Sequence, residues 1–470
     1  MTQGLTGFRK IQIGKEDTPG TPVAATVQLL GALTMKEALA LARPNEETGA
    51  LTKATRSTVA GKQAELKFEG ELTFEQFLYL LLMGVQGDVE ATPLYPESAM
   101  NYEHGATAYT DYTDEVVDGS SATHMPADAL DTDDYIYVGL SQKFSRIVVD
   151  MGSNVNAVAS VLSAEYSKGS SSWETLTITD GTADGGATLA QDGAITFTAP
   201  SDWDVDDVDS ETDLYWVRLA VSVQLSATVD IDEITLSAAV YTWTFTPSLI
   251  AAAGQNAYTI EYGDNVQAYE VEYGMVSSIE VSGAPDEALK VTAEMFGRQM
   301  TACTFTTDLT FPTVEPALFN RGKLYIDDAW ASIGDTQKSA TLVDFTLRFD
   351  TGLAPLKAAD GNLYFSIVAE KVRGVELDMT IHWNDTVSTT ERAAWAAQTK
   401  RALRLEFEGT TLENSYKKTL TFDLWGVYTD WETIADKDGA SVVAVKFASI
   451  GDVENDHEFS VEVVNGASTV

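Results

Sequence analysis

The sequence predicts a mainly β protein with a few short helices: two copies of one β-rich unit, the first carrying an inserted β-sandwich. Three observations carry this. Short segments alternate apolar and charged residues along the chain, a weak repeat recurs at a spacing of 152 residues, and composition changes sharply between Asp88 and Val240.

The alternation is clearest at Ala64–Leu72, where Ala64, Leu66 and Phe68 share one face and Glu65, Lys67 and Glu69 the other. The same pattern predicts strands at Tyr241–Phe245, Tyr258–Tyr262, Ser278–Val281, Leu289–Phe296, Ala340–Asp350, Glu376–His382, Thr419–Trp425 and Ser441–Ala448. Helix signals are few. Thr73–Gly84 opens on a capping Thr and closes on a Gly. Thr390–Leu403 follows a Ser/Thr cluster and is rich in Ala.

From Asp88 to Val240 there are 28 acidic and four basic residues, more than half of the chain's net charge of −41. Strand-like pieces at Asp134–Val138, Ser145–Asp150, Val161–Tyr166, Ala194–Thr198, Tyr215–Val223 and Ala227–Ile234 are separated by turn clusters, the pattern of a small sandwich. A shift of 152 residues lays Gly274–Ile279 over Gly426–Trp431, and Ala288, Val291, Ala293 and Met295 over Ala440, Val443, Val445 and Phe447. Upstream, Ala64–Leu72 then Thr73–Gly84 parallels Val375–Ile381 then Thr390–Leu403. The expected division is therefore residues 1–87 with 241–305 as a first unit, 88–240 as an acidic insert and 306–470 as a second unit.

Composition excludes several classes. The chain has 470 residues, with 30 basic against 71 acidic, so it lacks the Lys/Arg surplus that grips nucleic acid, although DNA could pass such a surface without sticking. One cysteine, Cys303, permits no internal disulfide and no cysteine-ligated metal, and four scattered histidines make a histidine site improbable. The opening residues have no apolar signal segment and no run reaches 18 apolar residues, so a protein made soluble in a cytoplasm is expected.

Three stretches resemble the tail tube (major tail) proteins of bacteriophages with long, non-contractile tails: GKEDTPGTPVAAT at Gly14–Thr26, VAGKQAELKFEGELTFEQFLYLLLMG at Val59–Gly84, and Tyr241–Gly297 with its YTWTFTP and EYGMVSSIEVSG segments. The resemblance covers about a quarter of the chain, and the second half joins it only through the internal repeat. It implies tandem β-sandwich or partial-barrel units with short flanking helices, which associate side by side into a continuous inner β-barrel, with rings stacked into a hollow tube for the genome. It also implies a place in the virion, with a tape measure protein and a tail terminator as partners. Rings of six units are usual in the family. Two units per chain would give a ring of three chains with pseudo-sixfold symmetry, a hexamer being the alternative. Acidic-leaning walls would repel the phosphates of passing DNA.

The polar stretch Arg43–Gly61 holds Arg43, Lys53 and Arg56, with Lys62 just beyond, and is a candidate contact between stacked rings. Asp202, Asp204, Asp206 and Asp213 approximate calcium-loop spacing, but Asp207 stands where Gly is needed, so a solvated acidic loop is the preferred reading. Asp131, Asp133 and Asp134 form a weaker cluster of the same kind. Cys303 reads as a small hydrophobe in a strand and His382 as a structural histidine beside Trp383. Trp173, Trp203, Tyr215 and Trp216 suit either sugar stacking or, preferentially, core packing. No nucleophile elbow, phosphate loop or dinucleotide fingerprint is present. A structural, non-enzymatic subunit with no cofactor, no metal and no membrane partner is expected. The alternative is a carbohydrate-binding adhesin or receptor-binding tail module built on the insert.

Overall fold

The computed structural model describes residues 4–47, 52, 54–237 and 239–470. Strands hold 50% of the residues and helices 8%, so the chain is mainly β as its alternation requires. The framework strands are β1 (Lys10–Lys15), β2 (Val27–Leu29), β3 (Ala32–Ala42), β4 (Thr58–Glu71), β5 (Tyr241–Phe245), β6 (Tyr258–Gly263), β7 (Ala268–Gly283), β8 (Lys290–Gly297), β9 (Met300–Cys303), β10 (Gly322–Asp327), β11 (Leu342–Asp350), β12 (Gly374–His382), β13 (Arg401–Glu413), β14 (Tyr416–Trp431), β15 (Ala440–Ser449) and β16 (Phe459–Asn465). Helix α1 (Phe77–Gly84) follows β4, and α2 (Arg392–Ala397) follows β12.

Eight strands form one antiparallel run in the order β3-β4-β8-β7-β11-β12-β15-β14. Its register lines up Leu33, Phe68, Ala293, Ile279 and Phe349 across five strands. One face is therefore apolar and buried, with Leu66, Leu347, Leu377 and Val445 at 2% exposure or less. The alternate residues, such as Glu65, Glu280, Arg348 and Asp378, fall on the opposite face, as period-two geometry dictates.

A second layer covers the apolar face. In the first half it comprises β1, β2, β6, β9 and the start of β7. In the second half it comprises β10, β13, the start of β14, β16 and β5. Strand β5, which chain order assigns to the first unit, lies in the second half's layer instead, paired along its length with β16. Helix α1 buries Phe77, Leu78, Leu81 and Met83. Phe77 meets Phe422 edge-on at 6.0 Å, which ties the halves together through one core.

Two features recur in both halves, the second at a spacing of 152 residues. Strands β7 and β14 each run for 16 residues and pass from one layer into the other. Each is bulged, between Val276 and Ser278 and between Tyr428 and Asp430. A bulge bends a strand and raises its twist, which is what a change of layer needs.

The second helix ends earlier than its composition suggests. A wide turn at Val387–Glu391 leads into α2, which stops at Ala397. Gln398 takes a left-handed conformation, φ 52°, and Thr399 N–H reaches back to Ala394 O at 2.9 Å. The chain is then free to start β13, where Arg401–Leu403 belong.

Between β11 and β12 the chain makes an arm, 351–373, with a short hairpin of Leu353–Leu356 and Ile367–Glu370. The arm lies back over the first half. Phe365 is fully buried, 5.2 Å from the Tyr273 ring and 5.6 Å from the Phe296 ring. Leu363 O accepts the Lys62 N–H at 2.7 Å.

The insert is a sandwich of a five-stranded and a seven-stranded sheet. Val138, Ile147, Trp203, Val217, Leu219 and Ile234 are buried in its core. Thr92–Pro93 pairs with Tyr241–Thr242 where the chain enters and leaves. The insert rests on the tip of the β13–β14 hairpin: Asn414 Nδ2 donates to Ser145 Oγ at 3.1 Å and Ser415 Oγ to Gln142 Oε1 at 3.0 Å.

Candidate interaction surface

The eight-stranded run contains one strand-to-strand junction between the halves. Ser278–Gly283 of β7 pairs residue by residue with Phe345–Asp350 of β11. On the polar face the junction is clasped by Arg348. Its Nε donates to Glu280 at 2.9 Å and its Nη1 to Asp378 at 2.6 Å. All three side chains are partly exposed, so this clasp fixes register and partner choice more than it adds stability.

The run ends in two open edges. Among the described residues, strand β3 is paired along one side only, to β4. Beyond Asp430, β14 pairs among the described residues only with β15, and Glu432 N–H continues that ladder to Ala444 O at 2.9 Å. Leu39, Leu41 and Ile434 stand on these edges with 46%, 43% and 53% exposure. An open edge with apolar side chains is a template for another strand.

The polar face is acidic with interspersed cations. Lys67 pairs with Glu69 at 2.7 Å and Lys36 with Glu65 at 3.5 Å, while Lys446 approaches Asp378 at 3.8 Å. The hydrogen bond that Lys67 donates to Glu69 raises its ammonium above its ordinary range.

The basic candidates do not share one environment. Arg43 Nε donates to Ser57 Oγ at 3.4 Å, and Arg56 pairs with Glu46 at 2.7 Å, both within their own loop. Lys62 lies on β4 beneath the arm. Lys53 lies outside the described residues.

The acidic string of the insert is spent on local contacts. Asp202 pairs with Lys168 at 2.6 Å, Asp206 accepts the Ser171 N–H at 2.7 Å, and Asp207 accepts the Asp213 N–H at 3.1 Å. Of the second cluster, Asp134 accepts the Asp131 N–H at 2.9 Å. Among the described residues no three His, Cys, Asp or Glu side chains converge as metal ligands.

Trp203 and Trp216 are buried at 3% and 0%, and Tyr215 meets Trp203 at 5.8 Å. These are core residues. Trp173 is half-buried, but the Arg218 guanidinium lies 4.4 Å from its ring centre and 4.4 Å from that of Tyr135. A cation therefore already occupies the face a sugar would need. Cys303 ends β9 half-buried, where burial and nearby Glu261 push its thiol up to about 11, the opposite of an activated nucleophile. His382 donates its backbone N–H to Thr341 O at 2.7 Å at a strand end.

Two charged clusters escape sequence reasoning. Arg404 makes a two-pronged pair with Asp423, at 2.7 and 2.8 Å. Glu391 is 1% exposed, 3.3 Å from Arg401 Nε, and accepts the Tyr428 hydroxyl at 3.2 Å. Burial raises the Glu391 carboxyl. The hint in sequence is a pair of arginines, Arg401 and Arg404, at the start of a strand that alternates apolar and charged residues. A cavity of 810 Å³ beside Arg404 is lined by Trp330, Trp425 and His457, but Trp330 stacks on His457 at 4.5 Å and Arg404 is held by Asp423.

No protein-family model matches the chain, and no curated protein matches it. Among the described residues no helix is long and apolar enough to cross a membrane.

Proposed function

We propose that the chain is a structural subunit of a bacteriophage tail tube, without catalytic activity, that joins its own copies into rings stacked as a hollow conduit for the genome. The observation that carries this reading is the β7–β11 junction. Within one chain, two halves of like geometry join edge to edge into a single sheet, and among the described residues the outer edges stay open. The recurrence of crossing strand, glycine and bulge at 152 residues supports two copies of one unit, the first carrying the insert. Head-to-tail repetition of such a junction closes a ring by rotation. Three chains would then supply six units.

In this reading the polar face lines the conduit. Its carboxylates repel phosphate, while Lys36, Lys67, Arg348 and Lys446 are tied to neighbouring carboxylates. The insert projects outward as an acidic coat that keeps long polymers from bundling. The virion tail is the proposed location, with a tape measure protein and a tail terminator as the partners that family membership would bring. Electron micrographs of the purified protein across a concentration series test the proposal. End-on views with three outer lobes around a sixfold wall are expected. Six lobes would keep the function and remove the three-chain ring, and discrete monomers at every concentration would overturn the reading.

A further inference from the structure

We infer the register of the contact between copies: Asp430, Glu432 and Ile434 of one chain lie opposite Ala38, Lys36 and Thr34 of the next, and Glu432 and Lys36 form the ion pair that Glu280 and Arg348 form within the chain. The inference rests on the ring-forming reading above and adds to it a defined partner strand.

The chain's own junction is the template for the contact between copies. The two bulges place Ser278 and Glu280 in the positions of Asp430 and Glu432. On the other side, Leu33 opposes Phe68, which opposes Ala293; Phe345 opposes Met379, which opposes Val445. Val445 and Ala293 are themselves 152 residues apart, so β11 stands where β3 stands, with Arg348 in the place of Lys36 and Asp350 in that of Ala38. Within the chain Ser278 opposes Asp350 and Glu280 opposes Arg348. Transferring that register to the open edges gives the pairs named.

Charge and exposure agree with the transfer independently. Glu280 and Glu432 are both acids, and Arg348 and Lys36 both cations. Arg348 bridges an acid across the junction and one on its own side. Lys36 already touches Glu65 on its own side, at 3.5 Å, with its side chain 70% exposed and directed to the same face. Glu432 is exposed and, among the described residues, has a strand beside it only on the β15 side. On the opposite face, Trp431 and Thr433 would meet Glu37 and Met35, continuing the line of Ile279–Phe349 and Val281–Leu347 contacts.

Cysteine pairing tests the register in a full-length chain carrying Cys303→Ser. Directly opposed residues of antiparallel strands have Cα atoms about 5 Å apart, within disulfide reach. Residues slipped by two lie roughly 7–8 Å apart. Lys36→Cys with Glu432→Cys should yield covalent oligomers on oxidation, and Thr34→Cys or Ala38→Cys with Glu432→Cys should yield few. A second arm uses charge: Lys36→Glu or Glu432→Lys alone should raise the concentration for half-assembly by about fivefold, and the double reversal should restore it. Both residues are exposed, so melting temperatures should not move. Preferential linkage of a slipped pair, or no linkage in a chain that still forms rings, overturns the register and leaves the function standing. A wild-type chain that never self-associates overturns both.

Discussion

Gly274 and Gly426 occupy the same point of two crossing strands, each two residues before a bulge and 152 residues apart. A Cβ on Gly274 would lie 2.8 Å from Tyr258 O, and one on Gly426 would lie 2.0 Å from Ala448 O. Each glycine lets a neighbouring backbone approach where the strand leaves one layer for the other. A side chain at either point would push the layers apart.

The consequence is measurable. Gly426→Ala should destabilise the protein by about 1–3 kcal/mol, more than Gly274→Ala, whose nearest contact is the movable end of Ile260. Gly374→Ala, with nothing within 4 Å of the added carbon, should stay within about 0.5 kcal/mol. Urea midpoints of the three variants decide the order, and an equal cost at Gly374 would remove the close-approach argument.

These glycines also mark how far the sequence could be read. The 152-residue repeat is visible because Ala293 and Met295 and their counterparts Val445 and Phe447 face a core, where apolar character is required at every second position. The pairing of Tyr241–Phe245 with Phe459–Asn465 is not visible, since both strands have satisfactory patterns and only the three-dimensional layer decides which edges meet. The arm is equally hidden. Phe365 sits in a short apolar run, Leu363–Ala369, that does not show which of its residues will be buried, and its burial depends on Phe296, far away in sequence. Of the loop candidates Arg43, Arg56 and Lys62, the sequence shows the charge but not that the two arginines are engaged within the loop.

Two carboxylates in the second half should respond to pH with opposite signs. Burial raises Glu391 above its ordinary value of 4.5. Its contribution is therefore complete below that value and declines as pH rises through the folded pKa. Hydrogen bonds from Lys323 and Lys417 lower Glu408 below 4.5, so its contribution is present above 4.5 and is lost as pH falls through the folded pKa. Relative to wild type, Glu391→Gln should improve as pH rises above 4.5, and Glu408→Gln should lose its deficit only below 4.5. Denaturation midpoints from pH 3 to pH 8 separate the two; parallel curves would contradict both assignments.

The arm is anchored chiefly through Phe365, packed between Tyr273 and Phe296, while Arg298 donates to Phe365 O at 3.2 Å and to Gly20 O at 2.9 Å. Truncating a buried Phe costs about 3–5 kcal/mol. Here that loss falls on one surface element rather than on the common core. Phe365→Ala should therefore open 351–373 to limited proteolysis while the main unfolding transition keeps its midpoint. Cleavage that begins elsewhere, or a collapse of the whole transition, would show that the arm is integral to the sandwich.

Removing the insert tests whether it is a coat or a part of the wall. The chain enters and leaves it through the paired segments Thr92–Pro93 and Tyr241–Thr242, so a short turn replacing 94–237 keeps that ladder intact. None of the eight strands of the long run lies in the deleted part. The deletion also takes away more than half of the net negative charge and uncovers Tyr416 at the hairpin tip, which packs against the insert's core. The shortened chain, with Tyr416→Ser to restore a polar tip, should still form ring walls in end-on micrographs, now without outer lobes. Its assemblies should bundle at salt concentrations where the full chain stays dispersed, because like-charge repulsion between coats is lost. Loss of rings in a deletion that remains folded by circular dichroism would place the insert in the ring contact itself and would overturn its reading as a coat.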